Sequence, residues 1–195
     1  MKTKRRQFLS LLSALPILGF LPARMKEPRL PLTPACDDGD EPTPSQTEGP
    51  YFKTESPERS ILLEKGMAGT TLVLKGQVLN TRCQPVARAL LDWWHCDDAG
   101  NYDNSGYTLR GHQYTDAQGK FQLETIVPGI YTGRTRHIHV KVQAPGKSVL
   151  TTQLYFPDES KNGRDRIFNK ALLIEMRKEK EANAVLGGYN FVVKA

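Results

Sequence analysis

At 195 residues the chain is long enough for one domain with a buried core, and 38% hydrophobic with 25% charged residues excludes a disordered or fibrous chain. The formal charge of +6 lies mostly at the N-terminus: without Lys2, Lys4, Arg5 and Arg6, 23 basic residues face 21 acidic ones. So even a balance gives no nucleic-acid footprint over the body of the protein.

Residues 1–23 read as an export signal. Thr3-Lys4-Arg5-Arg6-Gln7-Phe8-Leu9 sets paired arginines ahead of an apolar run from Phe8 to Leu21, too short to span a bilayer comfortably. The arginine pair predicts the twin-arginine export machinery as a partner, and a periplasmic or extracellular location. Leu21-Pro22-Ala23 lacks the small residue wanted at its first position, so the cleavage point stays open. Residues 24–50, with proline, threonine and aspartate and little periodicity, predict an extended arm. Three cysteines, Cys36, Cys83 and Cys96, allow one disulfide and one thiol in an exported chain, with the pairing open.

Residues 51–195 read as one β domain. Over Thr70 to Leu79, Leu72, Leu74, Gly76 and Val78 alternate with Val73, Lys75, Gln77 and Leu79, the period of a strand. Thr81 to Pro85 turns, Ala87 to Cys96 is a second strand carrying Trp93 and Trp94 on opposite faces, and Asp97 to Gly100 turns again. Gln113 to Asp116 and Lys120 to Ile126 flank Ala117-Gln118-Gly119, a hairpin signal. Arg136 to Val142 and Leu150 to Phe156 follow, separated by Pro145-Gly146. Ile167 to Met176 fits a helix or a short strand, and Gly187-Gly188 leads to a last strand over Tyr189 to Lys194, so the C-terminal part predicts a closing hairpin. Short strands with frequent turns predict an all-β fold, an antiparallel β-sandwich with an extended N-terminal arm and long loops.

The chemistry concentrates between residues 95 and 139. All four histidines, His95, His112, His137 and His139, lie there, with Tyr102, Tyr107, Tyr114 and Tyr131. His137 and His139 are two apart, so on a strand both imidazoles share a face and can grip one metal ion. Zn²⁺ with a water would require His95 or His112 to face the pair, making a hydrolase. Tyrosine suggests Fe(III) instead, since an ionised phenol is a hard anionic donor and needs such a cation to ionise at neutral pH. A transthyretin-like binding module with incidental histidines is the third reading.

Ordered blocks give a resemblance. Thr47-Glu48-Gly49-Pro50-Tyr51-Phe52, Leu91 to Asp97 (LDWWHCD), Gly100-Asn101-Tyr102, Leu109-Arg110-Gly111, Thr115-Asp116, Val127 to Tyr131 (VPGIY), Gly133 to His139 (GRTRHIH) and Leu150 to Gln153 (LTTQ) resemble the intradiol ring-cleavage dioxygenases, in their exported single-domain branch. The resemblance implies a non-haem Fe(III) held by Tyr102, Tyr131, His137 and His139. It implies that Tyr131 leaves the metal and takes a substrate proton, that Arg134 faces the substrate ring, and that Gln153 stands beside the iron site. The implied reaction joins O₂ to a small aromatic diol and yields a cis,cis-muconate-type product; a homo-oligomer is compatible with it. Tyr107 is the alternative to Tyr102, and Tyr51 is read as a pocket-mouth or packing residue.

Overall fold

The computed structural model describes residues 41–178 and 184–195. The expected export signal, Cys36 and most of the arm lie outside the described residues. Nine strands form: β1 (Thr71–Asn80), β2 (Leu90–Trp94), β3 (Arg110–Tyr114), β4 (Lys120–Ile126), β5 (His137–Gln143), β6 (Leu150–Tyr155), β7 (Glu175–Lys178), β8 (Ala184–Gly188) and β9 (Phe191–Val193). Among the described residues there is no α-helix, only two single 3₁₀ turns.

The strands make two sheets. One runs β4-β1-β8-β7, with β9 also on β1; the other runs β3-β2-β5-β6. Every pairing is antiparallel except β1 with β8 and β1 with β9, so the expected sandwich has one mixed sheet. The core follows from period-two patterning: Leu72, Leu74 and Val78 of β1 and Ile138, Val140 and Val142 of β5 are all fully buried. Trp93 packs between the sheets against Phe121 (centroids 5.6 Å) and Phe191 (6.1 Å).

The expected hairpin across residues 117–119 is corrected. Its turn forms, with Asp116 Oδ1 accepting the Gln118 and Lys120 amides. The flanking strands then part, β3 pairing with β2 and β4 with β1 in the opposite sheet. Gly119 decides this: its carbonyl accepts the Val78 amide, and its positive φ lets the backbone press on β1, where a Cβ would lie 2.7 Å from the Val78 carbonyl. The turn is an arch between sheets. The second strand is shorter than expected, because Arg88 takes a positive φ and the Ala89 amide bonds the Thr115 hydroxyl instead of a ladder carbonyl.

Ile167 to Met176 resolves into a 3₁₀ turn over Lys170–Leu172, where Asn169 accepts the Ala171 amide, and the start of β7. The expected closing hairpin is corrected: β7 pairs with β8, which contains Gly187 and Gly188, while the expected last strand, β9, runs parallel to β1. The run from β8 to β9 is broken at Tyr189-Asn190, where the Asn190 side chain replaces a backbone partner for the Gln77 amide. Residues 41–50 are fastened to the sandwich: the Thr43 amide bonds the Val192 carbonyl and the Gln46 amide bonds the Thr151 carbonyl. Cys96 is the buried free thiol and Cys83 is disulfide-bonded.

Because Ile138, Val140 and Val142 point inward, His137 and His139 point to the outer face of their sheet. There they are covered by loops, not by the other sheet, and each is only 3% exposed.

Candidate metal centre

His137 and His139 meet at their tips, with Nε2 atoms 3.1 Å apart. Burial pulls the His137 pKa down to about 4 and holds that of His139 well below its usual value, so both imidazoles are neutral near pH 7. The His137 Nδ1 lies 2.7 Å from the Thr135 carbonyl, which can only accept. Nδ1 therefore carries the proton and Nε2 presents its lone pair to the cluster. His139 is seated on Trp94, the rings stacked at 4.8 Å and 10°. Of the two tryptophans, Trp93 is thus core and Trp94 belongs to the site.

Two loops bring in the phenols. Asp97 Oδ1 accepts the Ala99 and Asn101 amides, and the Asp97 carbonyl accepts the Gly129 amide. Gly100 and Gly129 allow this close approach: a Cβ on Gly129 would lie 2.4 Å from the Asp98 carbonyl, and one on Gly100 2.6 Å from that of Ile130. Tyr102 and Tyr131 therefore enter side by side, ring centroids 5.7 Å apart and nearly perpendicular. The Tyr102 hydroxyl is 3.4 Å from His137 Nε2. Burial pushes the Tyr102 phenol well above its usual value, so it would ionise at neutral pH only beside a cation. Arg110, 1% exposed, stitches this wall, donating to the carbonyls of Asp103 and Tyr51.

Arg134 sits in a fixed network. Its Nε donates to Asp165 Oδ2 (2.8 Å) and its Nη2 to Gln153 Oε1 (2.7 Å), while Gln153 Nε2 donates to the Thr47 carbonyl (2.7 Å). Burial raises the Asp165 carboxyl, but the Thr135 amide, Arg134 and the Ile167 amide outweigh it and leave it below the usual range. Tyr155, its phenol pushed up to about 12 by burial, places its hydroxyl 3.1 Å from the Ile167 carbonyl and 3.2 Å from Gln153 Oε1, its one proton going to either acceptor.

All the residues expected from the sequence are thus gathered here: Tyr102, Tyr131, His137, His139, Arg134 and Gln153. Three participants were not foreseen as such. Tyr51 stacks on Tyr102 at 4.4 Å and 13°, and its hydroxyl lies 2.9 Å from that of Tyr131. Tyr155 follows Gln153 by two on β6, so the strand period could have found it. Asp165 stands 31 residues beyond Arg134, with no local signal.

The other candidates are engaged elsewhere. The His95 Nδ1 donates to the Cys96 carbonyl and its Nε2 accepts from the Thr125 hydroxyl. His112 bonds Ser56, and Tyr107 donates to the Thr54 carbonyl. Neither histidine faces the pair, so the three-histidine zinc arrangement is not formed. Among the described residues no three of His, Cys, Asp and Glu converge on one point. Two neutral imidazoles and two phenols, with no carboxylate or thiolate among them, suit a hard trivalent iron.

A family described as Dioxygenase matches residues 47–194. A catechol 1,2-dioxygenase of Acinetobacter lwoffii is 34% identical over 138 residues, covering 57% of this chain and 50% of that protein. The chain spans about half the length of the catechol 1,2-dioxygenases it matches, at 50% and 46% of theirs. Among solved structures, the dioxygenase domain of a dioxygenase–carbohydrate-binding fusion from Streptomyces sp. SirexAA-E is 50% identical, with a TM-score of 0.77 over 79% of this chain and 99% of that one. A 3-chlorocatechol 1,2-dioxygenase from Rhodococcus opacus 1CP is 32% identical, with a TM-score of 0.72 over 77% and 72%.

Proposed function

The chain belongs to the intradiol ring-cleavage dioxygenases, and from that membership we propose that it opens a catechol-type ring between its two hydroxylated carbons with O₂, giving a cis,cis-muconate-type product. The observation that carries this reading is the meeting of Tyr102, His137 and His139, with Tyr131 beside them, on one covered sheet face.

Tyr102, Tyr131, His137 and His139 would hold Fe(III). Bound there, the ion would supply Lewis acidity towards an aromatic diol. The protein's own groups do the rest. His137, with Nδ1–H tied to Thr135, keeps Nε2 as a lone-pair donor throughout. Tyr131, held as a ligand of that ion, would take a substrate hydroxyl proton at its oxygen when the diol arrives. Tyr51, within 2.9 Å, then shares a hydrogen bond with the neutral Tyr131 phenol. Arg134, clamped by Asp165 and Gln153, offers a fixed guanidinium where charge develops on the ring. The loops over His137 and His139 exclude water, which strengthens each of these interactions.

The test is metal analysis with visible spectroscopy and oxygen uptake on a panel of catechols, products identified. The expected result is about one Fe(III) per chain, a burgundy to red colour from tyrosinate charge transfer, and ring-opened diacids. A colourless, active zinc protein would end this reading. Residues 1–23 would direct the chain through twin-arginine export to the periplasm or beyond. Normal export of an Arg5→Lys, Arg6→Lys precursor would remove that part alone.

A further inference from the structure

The two imidazoles of the cluster are held in different ways. His137 is fixed by a hydrogen bond, its Nδ1 lying 2.7 Å from the Thr135 carbonyl. His139 has no such tie: its Nδ1 is buried and has no hydrogen-bond partner among the described residues. Histidines that ligate metals almost always donate their second ring N–H to an oxygen, and that bond sets the ring's orientation. For His139 something other than a hydrogen bond must set it.

Its neighbours are stacked rings. Trp94 lies flat against His139, with centroids 4.8 Å apart and planes 10° from parallel. The Trp94 indole N–H is buried and also has no partner among the described residues, so packing holds that ring too. Phe52 meets Trp94 edge to face, at 4.9 Å and 61°. Lys141 stands over Phe52, its Nζ 3.7 Å from the ring centroid, and pairs with Glu48. Between Glu48 and Phe52 in the chain, Gly49 brings backbone against His139: a Cβ there would lie 3.5 Å from the ring's Cε1. Lys141 follows His139 by two on β5, so both project from the outer face of the sheet. One ammonium therefore grips the segment that covers His139 and rests on the ring that backs its tryptophan seat.

We propose that Lys141 is a positioning residue for the metal centre: its ammonium, lying on Phe52, holds the Phe52–Trp94 stack that fixes the angle of His139. This rests on the proposed ligand role of His139. The Glu48 pair contributes less than the contact with Phe52, because the Glu48 carboxylate is 44% exposed and water screens it.

The test uses the full chain with Lys141→Ala, Lys141→Arg, Glu48→Gln and Phe52→Leu. Nitrogen NMR spectra of the histidine rings are recorded on metal-free protein, and Fe(III) loss to excess EDTA is followed through the visible band of loaded protein. Lys141→Ala and Phe52→Leu should each shift or broaden the His139 ring signals, while those of His137, tied to Thr135, move less. Both variants should speed Fe(III) loss about tenfold, the scale on which supporting contacts act on a metal ligand. Lys141→Arg should restore both readouts, since a guanidinium also stacks on an aromatic face. Glu48→Gln should change the loss rate by less than about twofold. A general loosening of the domain would move both histidines alike. Unchanged His139 signals in Lys141→Ala and Phe52→Leu, equal movement of His137 and His139, or a Glu48→Gln variant as impaired as Lys141→Ala would overturn the proposal. Wild-type protein that takes up no Fe(III) would end the ligand reading instead, and the ring spectra would still decide whether Lys141 seats His139.

Discussion

The two outer faces of the sandwich differ in what covers them. The outer face of β1 and β4 is bare, and it carries Lys75, Lys120 and Gln122 in solvent. The outer face of β5 and β6 is roofed by loops, and it carries His137, His139 and Gln153 at 3%, 3% and 0% exposure. Strand geometry is the same on both, so alternation alone does not make a site. Covering one face with chain that is not strand removes water from polar groups that a second sheet would have forced to be apolar. Desolvation then sets their chemistry: it holds the imidazoles neutral and makes the Tyr102 phenol depend on a cation.

The largest expected effect breaks the roofed face itself. His137→Ala or His139→Ala should reduce iron to background, abolish the visible band and stop turnover, while Lys75→Ala with Gln122→Ala on the bare face changes none of these. Iron content and colour check both; retained colour in either histidine variant would contradict the proposed ligand set. Next comes the proton. Tyr131→Phe should keep iron and a tyrosinate band through Tyr102 but lose about a hundred- to ten-thousand-fold in turnover, the usual worth of a positioned base. Rapid-mixing spectra sharpen this. If catechol-bound Tyr102→Phe kept the tyrosinate band and catechol-bound Tyr131→Phe lost it, the two roles would be reversed.

A smaller effect probes the clamp. Asp165→Asn should leave iron content unchanged and lower kcat/KM about tenfold, because Arg134 loses the carboxylate that orients it. Steady-state kinetics beside metal analysis separates this from loss of the site. The smallest effect is on stability. Burial lowers the His95 pKa to about 4, so below about pH 6.5 the unfolded chain takes up a proton that the folded protein refuses. Stability should therefore fall as pH drops from about 6.5 towards 4, with His137 and His139 adding in the same direction. His95→Gln should make that fall shallower, read as unfolding temperature against pH.

Much of this was legible along the chain. The alternation of Leu72, Leu74 and Val78, the two-residue spacing of His137 and His139 and the split between Trp93 and Trp94 follow from a strand period of two, a local property that needs no partner. The ordered blocks that gave the resemblance carried Tyr102, Tyr131, Arg134 and Gln153 in the same way. Pairing between sheets had no such local mark. The turn at residues 117–119 reverses the chain, yet which sheet receives β4 depends on Gly119 docking on Val78, about 40 residues earlier. Asp165 reaches Arg134, Tyr51 reaches Tyr131 and Thr47 reaches Gln153 only once loops from four parts of the chain meet over one sheet face. Sequence alone determined which face each strand side chain, His137 and His139 among them, would take, because spacing sets direction, and it named the candidates for the chemistry. Tertiary structure decided which of them lost their water and which partners fixed them, because burial and hydrogen bonds depend on segments that are distant in the chain.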